Sequence, residues 1–357
     1  RVGPAWSRDG ATGQWYLHSF AREQPDLNWW NPQVRGAMDE VMRFWLRRGV
    51  DGFRFDAVHR LTKDPELRDN PPEVAALRKD EADHAVPTRN IDWPETHAVI
   101  RAFRRTLDEF GALGVGEVGI NDLARALRYY GEGDEMHLVF NFKFWQQPWV
   151  AGAFRSVVES VEARLPRGAW PAYALSNHDI SRTVTRLGGP RQARLAAMML
   201  LTLRGTPFLY AGEEIGMADQ PAAPGADFEG RDRARAPLPW EEVAGQGRDP
   251  GSMLTLYRRL IRLRRGHQAL QVGDYRSLAV GAEQVFAFER AFAGERLLVA
   301  LNFGVEAVRL APLRGTGRRL LSTDPDLAPG EISLDGYELG PLEGGVFARL
   351  DPPHRAR

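Results

Sequence analysis

The sequence contains no cysteine among its 357 residues, which excludes disulfide bonds, thiolate nucleophiles and cysteine-ligated metals. This composition is compatible with a cytoplasmic location, which we expect. The 47 basic residues balance 47 acidic residues, so no excess of positive charge recruits nucleic acid. No apolar run approaches the roughly 18–20 residues that a membrane-spanning helix requires. Nucleic acids and membranes are therefore not expected as partners.

The amino terminus has neither an initiating methionine nor the features of a signal peptide. Residues 1–30 are rich in glycine, proline and tryptophan without a clear period, and we predict a loop there. We expect the chain to be truncated at this end, so the missing signal peptide does not argue against secretion. The chain is long enough for one barrel-sized domain and a smaller second domain.

Helical and strand-like patterns alternate between residues 31 and 266. Asn31 and Pro32 mark a helix start, with Asn as the N-cap and Pro at the first helical position. Predicted helices span 32–48, 94–110, 121–130, 148–165, 190–204 and 250–265, and predicted strands span 49–57, 112–118, 136–142, 171–177 and 206–211. Five short apolar strands separated by helices indicate an α/β fold class, with parallel strands joined by crossovers.

After residue 266 the pattern changes to short strands with glycine-containing turns and no long helix. This pattern is typical of a small antiparallel all-β domain. We predict three parts: residues 1–30 as the remnant of a loop or inserted domain, 31–266 as a partial β/α barrel, and 267–357 as the C-terminal antiparallel β domain.

The stretch GVDGFRFDAVH at residues 49–59 contains the first candidate site. Side chains alternate along a strand, so Phe53 and Phe55 share one face while Arg54 and Asp56 share the other. A buried carboxylate is costly unless it is paired, and Arg54 is only two residues away. The pair is either a structural ion pair or a carboxylate that a guanidinium keeps ionised, as a nucleophile requires.

Acidic residues follow three of the predicted strands, as Asp56, Glu117 and Asp179. In a β/α barrel the carboxyl ends of the strands form the active-site face, so the three carboxylates are expected to converge. An open doubly wound sheet would also group its strand ends, and the pattern alone leaves this alternative open.

Three carboxylates on one face suit hydrolysis of a glycosidic bond, in which one attacks the sugar and another protonates the leaving oxygen. Asp56 is the candidate nucleophile because Arg54 favours its ionised form. Glu117 has no cation adjacent in sequence, so desolvation would favour the protonated form that a general acid needs. Asp179 would stay ionised and stabilise the cationic sugar, with His178 donating hydrogen bonds.

These residues lie in stretches that resemble the α-amylase family, glycoside hydrolase family 13. Three motifs occur in the family's order, each after a predicted strand: GFRFD at 52–56, GEV at 116–118 and SNHD at 176–179. Further stretches resemble the α-glucosidase and oligo-1,6-glucosidase branch: EQPDLNWWNPQVR at 23–35, KDPELRDNPP at 63–72, GTPFLYAGEEIGM at 205–217 and GRDRARAPLPW at 230–240. The resemblance extends to about residue 310.

Taken position by position, the resemblance implies a role for each residue of the candidate site. It makes Asp56 the nucleophile, Glu117 the acid/base and Asp179 the transition-state stabiliser. It also implies that Arg54 and His178 contact the sugar in the innermost subsite.

Two further positions bear on substrate choice. Arg231 resembles an arginine that helps to close the pocket around the non-reducing end of the substrate. Ala57 resembles the residue of α-1,4-preferring members, whereas α-1,6-preferring relatives tend to have Val; such a difference in the pocket is worth about 1–3 kcal/mol.

We interpret Glu213 and Glu214 as a rim or structural pair rather than as extra catalytic acids.

The family's first three barrel strands, and the Asp and His motif that ends the third, have no counterpart in this sequence. We therefore expect an incomplete barrel of the (β/α)8 TIM type, about its fourth to eighth strands, with open strand edges. The family often carries a structural calcium ion, but one common site lies in the part with no counterpart. No metal and no cofactor are assigned.

The expected function is a retaining α-glucosidase that releases terminal non-reducing α-linked glucose from short oligosaccharides such as maltose. A transglycosylase or isomerase of the same family, forming trehalose or isomaltulose, is the nearest alternative. Two other classes are a non-catalytic relative that serves as a scaffold or is inactive, and a metal-dependent barrel hydrolase that uses His178, Asp179 and Glu117.

Overall fold

The computed structural model describes residues 4–75, 88–221, 230–311 and 313–349. The chain divides into two compact units, the first formed by Arg1–Phe142 with Arg164–Trp170 and the second by Lys143–Ala163 with Pro171–Arg357. Parallel strands of the α/β region occur in both units, and the second unit also contains the antiparallel sheet.

The first unit opens with an antiparallel hairpin of β1 (Trp6–Arg8) and β2 (Trp15–Leu17). The prediction of a loop over residues 1–30 is wrong at these two strands. Each strand is only 3 residues long, which is too short for a period-2 pattern to be recognised.

The other elements of this unit follow the predicted order of helices and strands, apart from a one-turn helix at Pro72–Ala75 that was not predicted. The helices are α1 (Pro32–Leu46), α2 (Pro72–Ala75), α3 (Pro94–Phe110) and α4 (Leu123–Leu127), with 3₁₀ turns at Val58–Arg60 and Arg128–Tyr130. The strands are β3 (Gly52–Phe55), β4 (Leu113–Gly116) and β5 (Leu138–Val139).

Residues at the helix ends explain why two of the helix predictions are accurate. The side chain of Asn31 accepts the backbone N–H of Gln33 at 2.9 Å, so the predicted N-cap of α1 is confirmed. Helix α3 has the predicted bounds because Pro94 occupies its first turn and Gly111, with φ of 62°, adopts the left-handed conformation that ends it.

Strands β3, β4 and β5 form a parallel sheet in that order, with Arg54 opposite Val115 and Phe55 opposite Gly116. The backbones of β3 and β4 approach so closely at Gly52 that a Cβ there would lie 2.1 Å from the carbonyl oxygen of Leu113. Only glycine is compatible with this pairing at that position.

Aromatic side chains join this sheet to α3. The ring of Phe55 stacks on Phe103 at 5.1 Å, and Trp29 meets Phe103 edge-on at 5.5 Å. The rings of Phe53 and Phe55 lie 5.9 Å apart and both pack against this core, so their predicted common face is confirmed. The opposite face is therefore the one that presents Arg54.

The second unit contains a parallel pair, β6 (Ala172–Ala174) and β7 (Thr206–Phe208). Helix α5 (Phe142–Trp145) begins at the last residue of the first unit, and α6 (Ala151–Arg164) ends at the boundary. The remaining helices are α7 (Thr183–Leu187), α8 (Pro190–Thr202), α9 (Trp240–Gln246), α10 (Met253–Gly266) and α11 (Gln268–Val272), with 3₁₀ turns at Glu213–Ile215 and Arg231–Arg233.

The carboxyl-terminal part of the second unit is an antiparallel β domain, as predicted. Its strands are β8 (Asp274–Leu278), β9 (Val285–Phe292), β10 (Glu295–Asn302), β11 (Val308–Arg309), β12 (Thr316–Ser322), β13 (Gly330–Ser333), β14 (Glu338–Leu339) and β15 (Gly344–Arg349). Six of them form a sheet in the order β13-β12-β15-β10-β9-β8, and β11 pairs with β14. In the part of the chain that the structure describes, no helix has the length and apolar character needed to cross a bilayer.

Candidate active site

A single arginine connects the first two candidate carboxylates. The guanidinium of Arg54 donates one hydrogen bond to Asp56 and another to Glu117, each from a different terminal nitrogen. The ion pair between Arg54 and Asp56 that the strand pattern predicts is therefore present. Glu117 also has a cationic partner, although none is adjacent to it in sequence.

The parallel register of β3 and β4 explains why Arg54 reaches both carboxylates. Arg54 lies opposite Val115 and Phe55 opposite Gly116, so the next residues, Asp56 and Glu117, leave the two strands side by side. The backbone N–H of Glu117 donates to the carbonyl of Phe55 at 2.9 Å, which continues the ladder by one step. Adjacent strands lie only about 4.8 Å apart, so both carboxylates come within reach of one guanidinium.

The two carboxylates differ in exposure. The side chain of Glu117 is 14% exposed, as expected for a group in a desolvated position, whereas that of Asp56 is 72% exposed. The expectation of a buried carboxylate is thus wrong for Asp56. Strand β3 lies at the edge of its sheet, where no neighbouring strand of the described residues covers its outer side.

The backbone after Asp56 turns sharply at Ala57, which has φ and ψ of 42°. This left-handed conformation is uncommon for a residue other than glycine and costs about 1–2 kcal/mol. The turn brings the backbone N–H of Val58 to the carbonyl of Glu117 at 3.1 Å and leads into a 3₁₀ turn. Ala57, predicted as a specificity position, is therefore held at the point where the chain leaves the strand.

Buried His59 supports the segment that follows Glu117. Its Nδ1 accepts the backbone N–H of Gly119 at 3.2 Å, and its ring is 3% exposed. Burial, helped by nearby positive charges, lowers the pKa of His59 well below the usual value, so the ring is neutral. The sequence showed this histidine next to the motif but gave no sign of its contact with the second strand end.

The second unit carries the remaining candidates, and they surround Asp179. Its Oδ1 accepts hydrogen bonds from Arg231 at 3.2 Å and from Arg235 at 3.0 Å, and its Oδ2 lies 3.3 Å from Nε2 of His178. The backbone N–H of Asp179 donates to the side chain of Asn177 at 2.9 Å. Two arginines and a histidine therefore surround the carboxylate of Asp179.

Arg235 is a site residue that sequence reasoning missed. Its Nε donates to the carbonyl of His178 at 2.8 Å, while another nitrogen contacts Asp179, so it contacts two residues of the SNHD motif. It lies in the stretch GRDRARAPLPW, four positions after Arg231. Nothing in the sequence distinguished it from the other arginines of that stretch.

The structure therefore assembles the predicted residues in two groups. Arg54, Asp56 and Glu117 form one group at the ends of β3 and β4. The other group forms around Asp179 after β6 and consists of His178, Asp179 and Arg231, joined by Arg235. Among the residues described in the two units, no three His, Asp or Glu side chains are arranged as a metal site.

Comparison with known families identifies the family of this chain. The model of the family described as Alpha amylase, catalytic domain, matches residues 1–273. The chain belongs to the α-amylase family. A second model, Domain of unknown function (DUF3459), matches residues 274–346 of this α-amylase family chain, where the antiparallel sheet lies.

Curated relatives and a solved structure agree with this assignment. A probable alpha-glucosidase of Rhizobium meliloti is 34% identical over 98% of this chain and 71% of its own length. An oligo-1,6-glucosidase of Parageobacillus thermoglucosidasius is 28% identical over 84% of this chain and 65% of its own length. The crystal structure of isomaltulose synthase from Klebsiella sp. LX3 is 27% identical, with a TM-score of 0.83, over 97% of this chain and 74% of that chain.

The comparisons settle the fold class that the sequence left open. The fold is that of the α-amylase catalytic domain, a β/α barrel of the TIM type, followed by an antiparallel all-β domain. The doubly wound alternative is therefore wrong. The chain spans about two thirds to three quarters of the length of these relatives.

Proposed function

We propose that this protein is a retaining α-glucosidase that removes terminal non-reducing α-linked glucose from short oligosaccharides such as maltose. The observation that carries the proposal is the bridge of Arg54 between Asp56 and Glu117 at neighbouring strand ends. Carboxylates that share one guanidinium are close together, which suits the separation of about 5–5.5 Å in retaining enzymes rather than the wider spacing of inverting ones. Family membership and the α-glucosidase relatives support the same reaction.

In the proposed mechanism Asp56 attacks the anomeric carbon while protonated Glu117 donates its proton to the departing glycosidic oxygen. Water then releases glucose from Asp56, with Glu117 as the base that removes the proton of the water. Arg54 orients both carboxylates. Asp179, held by its two arginines, would stabilise the positive charge that develops on the sugar ring.

The test is hydrolysis of an aryl α-glucoside by wild type and by Asp56→Asn. The Asn variant keeps the shape of the side chain but removes the nucleophile, so we expect kcat to fall by at least about 10⁴-fold. Asp51→Asn is the matched control, because Asp51 is exposed and precedes the same strand. A substantial residual rate in Asp56→Asn would remove Asp56 as the nucleophile.

Transglycosylation is a second candidate, favoured by the similarity to isomaltulose synthase. In that case an acceptor sugar rather than water would receive the glucosyl group from Asp56. Incubation with sucrose separates the two candidates. Glucose and fructose in equal amounts support hydrolysis, whereas an isomer of sucrose without free glucose supports the transferase.

Linkage preference also belongs to the proposal. Ala57 favours α-1,4 linkages by the resemblance given above, whereas one of the curated relatives is named an oligo-1,6-glucosidase. We expect kcat/KM for maltose to exceed that for isomaltose. A pocket difference of the size of a methyl group should make the ratio of the two kcat/KM values about 10–200.

A further inference from the structure

A buried glutamate joins the two ends of the segment that carries Asp179. This segment, residues 176–183, leaves β6 and ends at the first residue of α7. Glu213 follows β7 and is only 3% exposed. Its Oε1 accepts a hydrogen bond from the hydroxyl of Ser176 and a second from the hydroxyl of Thr183 at 2.7 Å.

The contacts form a closed network around one carboxylate. The hydroxyls of Ser176 and Thr183 lie 3.3 Å apart, and the backbone N–H of Tyr210 approaches the other oxygen of Glu213 at 3.4 Å. The neighbouring Glu214 accepts the N–H of Gly212 at 2.8 Å, within its own turn. Of the two possibilities stated for this pair, a rim or a structural role, the burial and contacts of Glu213 agree with the structural one.

Ionisable groups on two helices act on this carboxylate. Arg186 of α7 favours its charged form, and the buried hydroxyl of Tyr257 on α10 lies within electrostatic range. Burial outweighs the hydrogen bonds and Arg186, and it raises the pKa of Glu213 to about 7. A buried carboxylate is costly unless it is paired or hydrogen-bonded, and Glu213 accepts hydrogen bonds from both ends of segment 176–183.

We propose that Glu213 is a positioning residue, which fixes both ends of segment 176–183 and thereby sets the orientation of Asp179. The inference rests on the proposed role of Asp179 in the reaction. Because both hydroxyls bind the same oxygen, neither end of the segment can move without breaking a buried hydrogen bond. A shift of about 1 Å at a catalytic group lowers rates by about 100-fold.

Hydrogen exchange of the segment tests the positioning without any need for activity. Glu213→Ala removes both contacts, and we expect exchange of peptides covering 176–183 to rise at least about tenfold. Glu213→Gln keeps an amide oxygen that accepts both hydroxyl protons, so its exchange should stay close to that of wild type. Glu214→Gln is the control for a charge change in the same turn. Wild-type exchange rates in Glu213→Ala would overturn the proposal.

The pH dependence of this exchange separates positioning from simple filling of space. Opening the segment admits water to Glu213 and returns its pKa toward the ordinary 4.5, so the closed state binds the proton more tightly. In wild type, after correction for intrinsic exchange, protection should fall by up to about tenfold per unit between pH 5 and pH 7 and then level off. Glu213→Gln should lack this dependence. The same pH dependence in both proteins would contradict the proposal.

Kinetics on an aryl α-glucoside connects the segment to the reaction. We expect Glu213→Ala to lower kcat at least about tenfold while KM changes by less than about threefold, because Asp179 acts in the transition state. If Glu213→Ala does not fold, Thr183→Val and Thr183→Ser replace it, and only Val should lose protection and rate.

The two proposals fail in different ways. A wild-type protein without glucosidase activity whose segment still loosens in Glu213→Ala would refute the proposed function and support the positioning. An active protein in which Glu213→Ala changes neither kcat nor exchange would refute the positioning alone.

Discussion

Arg54 is the residue whose contact could be only half predicted. The alternation of GFRFD places it beside Asp56 on one strand face, and that part is confirmed by the hydrogen bond between them. Its second contact, with Glu117, depends on the register of two strands 61 positions apart, and no local pattern encodes a register between parallel strands. The exposure of Asp56 was also unpredictable, since it follows from the edge position of β3.

His59 predicts how stability depends on pH. Its folded-state pKa lies well below 6.5, whereas the unfolded chain has the ordinary value, so the unfolded state takes up the proton first. The contribution is therefore complete above pH 6.5 and is lost as pH falls below it, by up to about 1.4 kcal/mol per unit. Urea unfolding between pH 7.5 and pH 5 should show this loss in wild type and a smaller one in His59→Gln.

His178→Gln is the control for His59, because its ring is about half exposed and lies after a different strand. Because His59 is intact in this variant, the loss of stability that His59 causes should remain. Equal acid sensitivity in wild type and in His59→Gln would show that another group causes the loss.

Helix bounds were predictable where end-capping residues mark them, and strand bounds were not. Pro94 and Gly111 limit α3 to the predicted residues. The strand predicted over 136–142 is only Leu138–Val139, because the apolar run continues into the start of helix α5. A short apolar run does not distinguish a buried strand from the first turn of a buried helix.

Gly52 and Gly36 give opposite predictions for the same substitution. Gly52→Ala would place a Cβ 2.1 Å from the carbonyl oxygen of Leu113, so we expect the free energy of unfolding to fall by about 3 kcal/mol or more. Gly36 lies inside α1 with no atom within 4 Å of an added Cβ, and Gly36→Ala should raise that free energy by about 0.5–1 kcal/mol. Urea unfolding of both variants checks the close pairing of β3 and β4, which a harmless Gly52→Ala would contradict.

Arg290 links parts of the second unit, a structural role that the sequence did not reveal. Fully buried Arg290 on β9 donates to the carbonyls of Thr202, Gly273 and Asp274, at 2.7, 2.9 and 3.3 Å. Thr202 is the last residue of α8, whose final carbonyls have no partner within the helix. Burial lowers the pKa of Arg290 to about 9. The antiparallel sheet therefore caps a helix of the α/β region.

Arg290→Met should destabilise both parts of the second unit together. It removes one donor from each of three carbonyls, at about 1–3 kcal/mol for each one that is left buried without a partner. Calorimetry should show a lower Tm, and limited proteolysis should detect opening of both α8 and β9. Arg309→Met is the control, since its side chain is 79% exposed and its pair with Glu338 is weak. If the sheet opened in Arg290→Met while α8 stayed protected from proteolysis, the result would contradict the idea that Arg290 couples the stability of α8 to that of the sheet.

The whole chain has the organisation that its motifs imply. The carboxylates after β3, β4 and β6 belong to an α-amylase family fold, and an antiparallel domain follows that fold in the sequence. The sequence could identify these carboxylates because each follows a strand, but it showed only some of their partners, such as Arg54 beside Asp56. The contacts of Arg235 and Glu213 depend on separate turns that meet around segment 176–183, and the sequence does not show which turns meet.

Trapping the covalent intermediate tests the central claim most directly. A fluorinated α-glucosyl fluoride should slow release of the sugar more than its attachment, so that the glucosyl-enzyme accumulates. Peptide mapping by mass spectrometry should then place one fluoroglucosyl group on Asp56. Attachment to another carboxylate, or turnover of an aryl α-glucoside with no label on Asp56, would contradict the mechanism proposed for this protein.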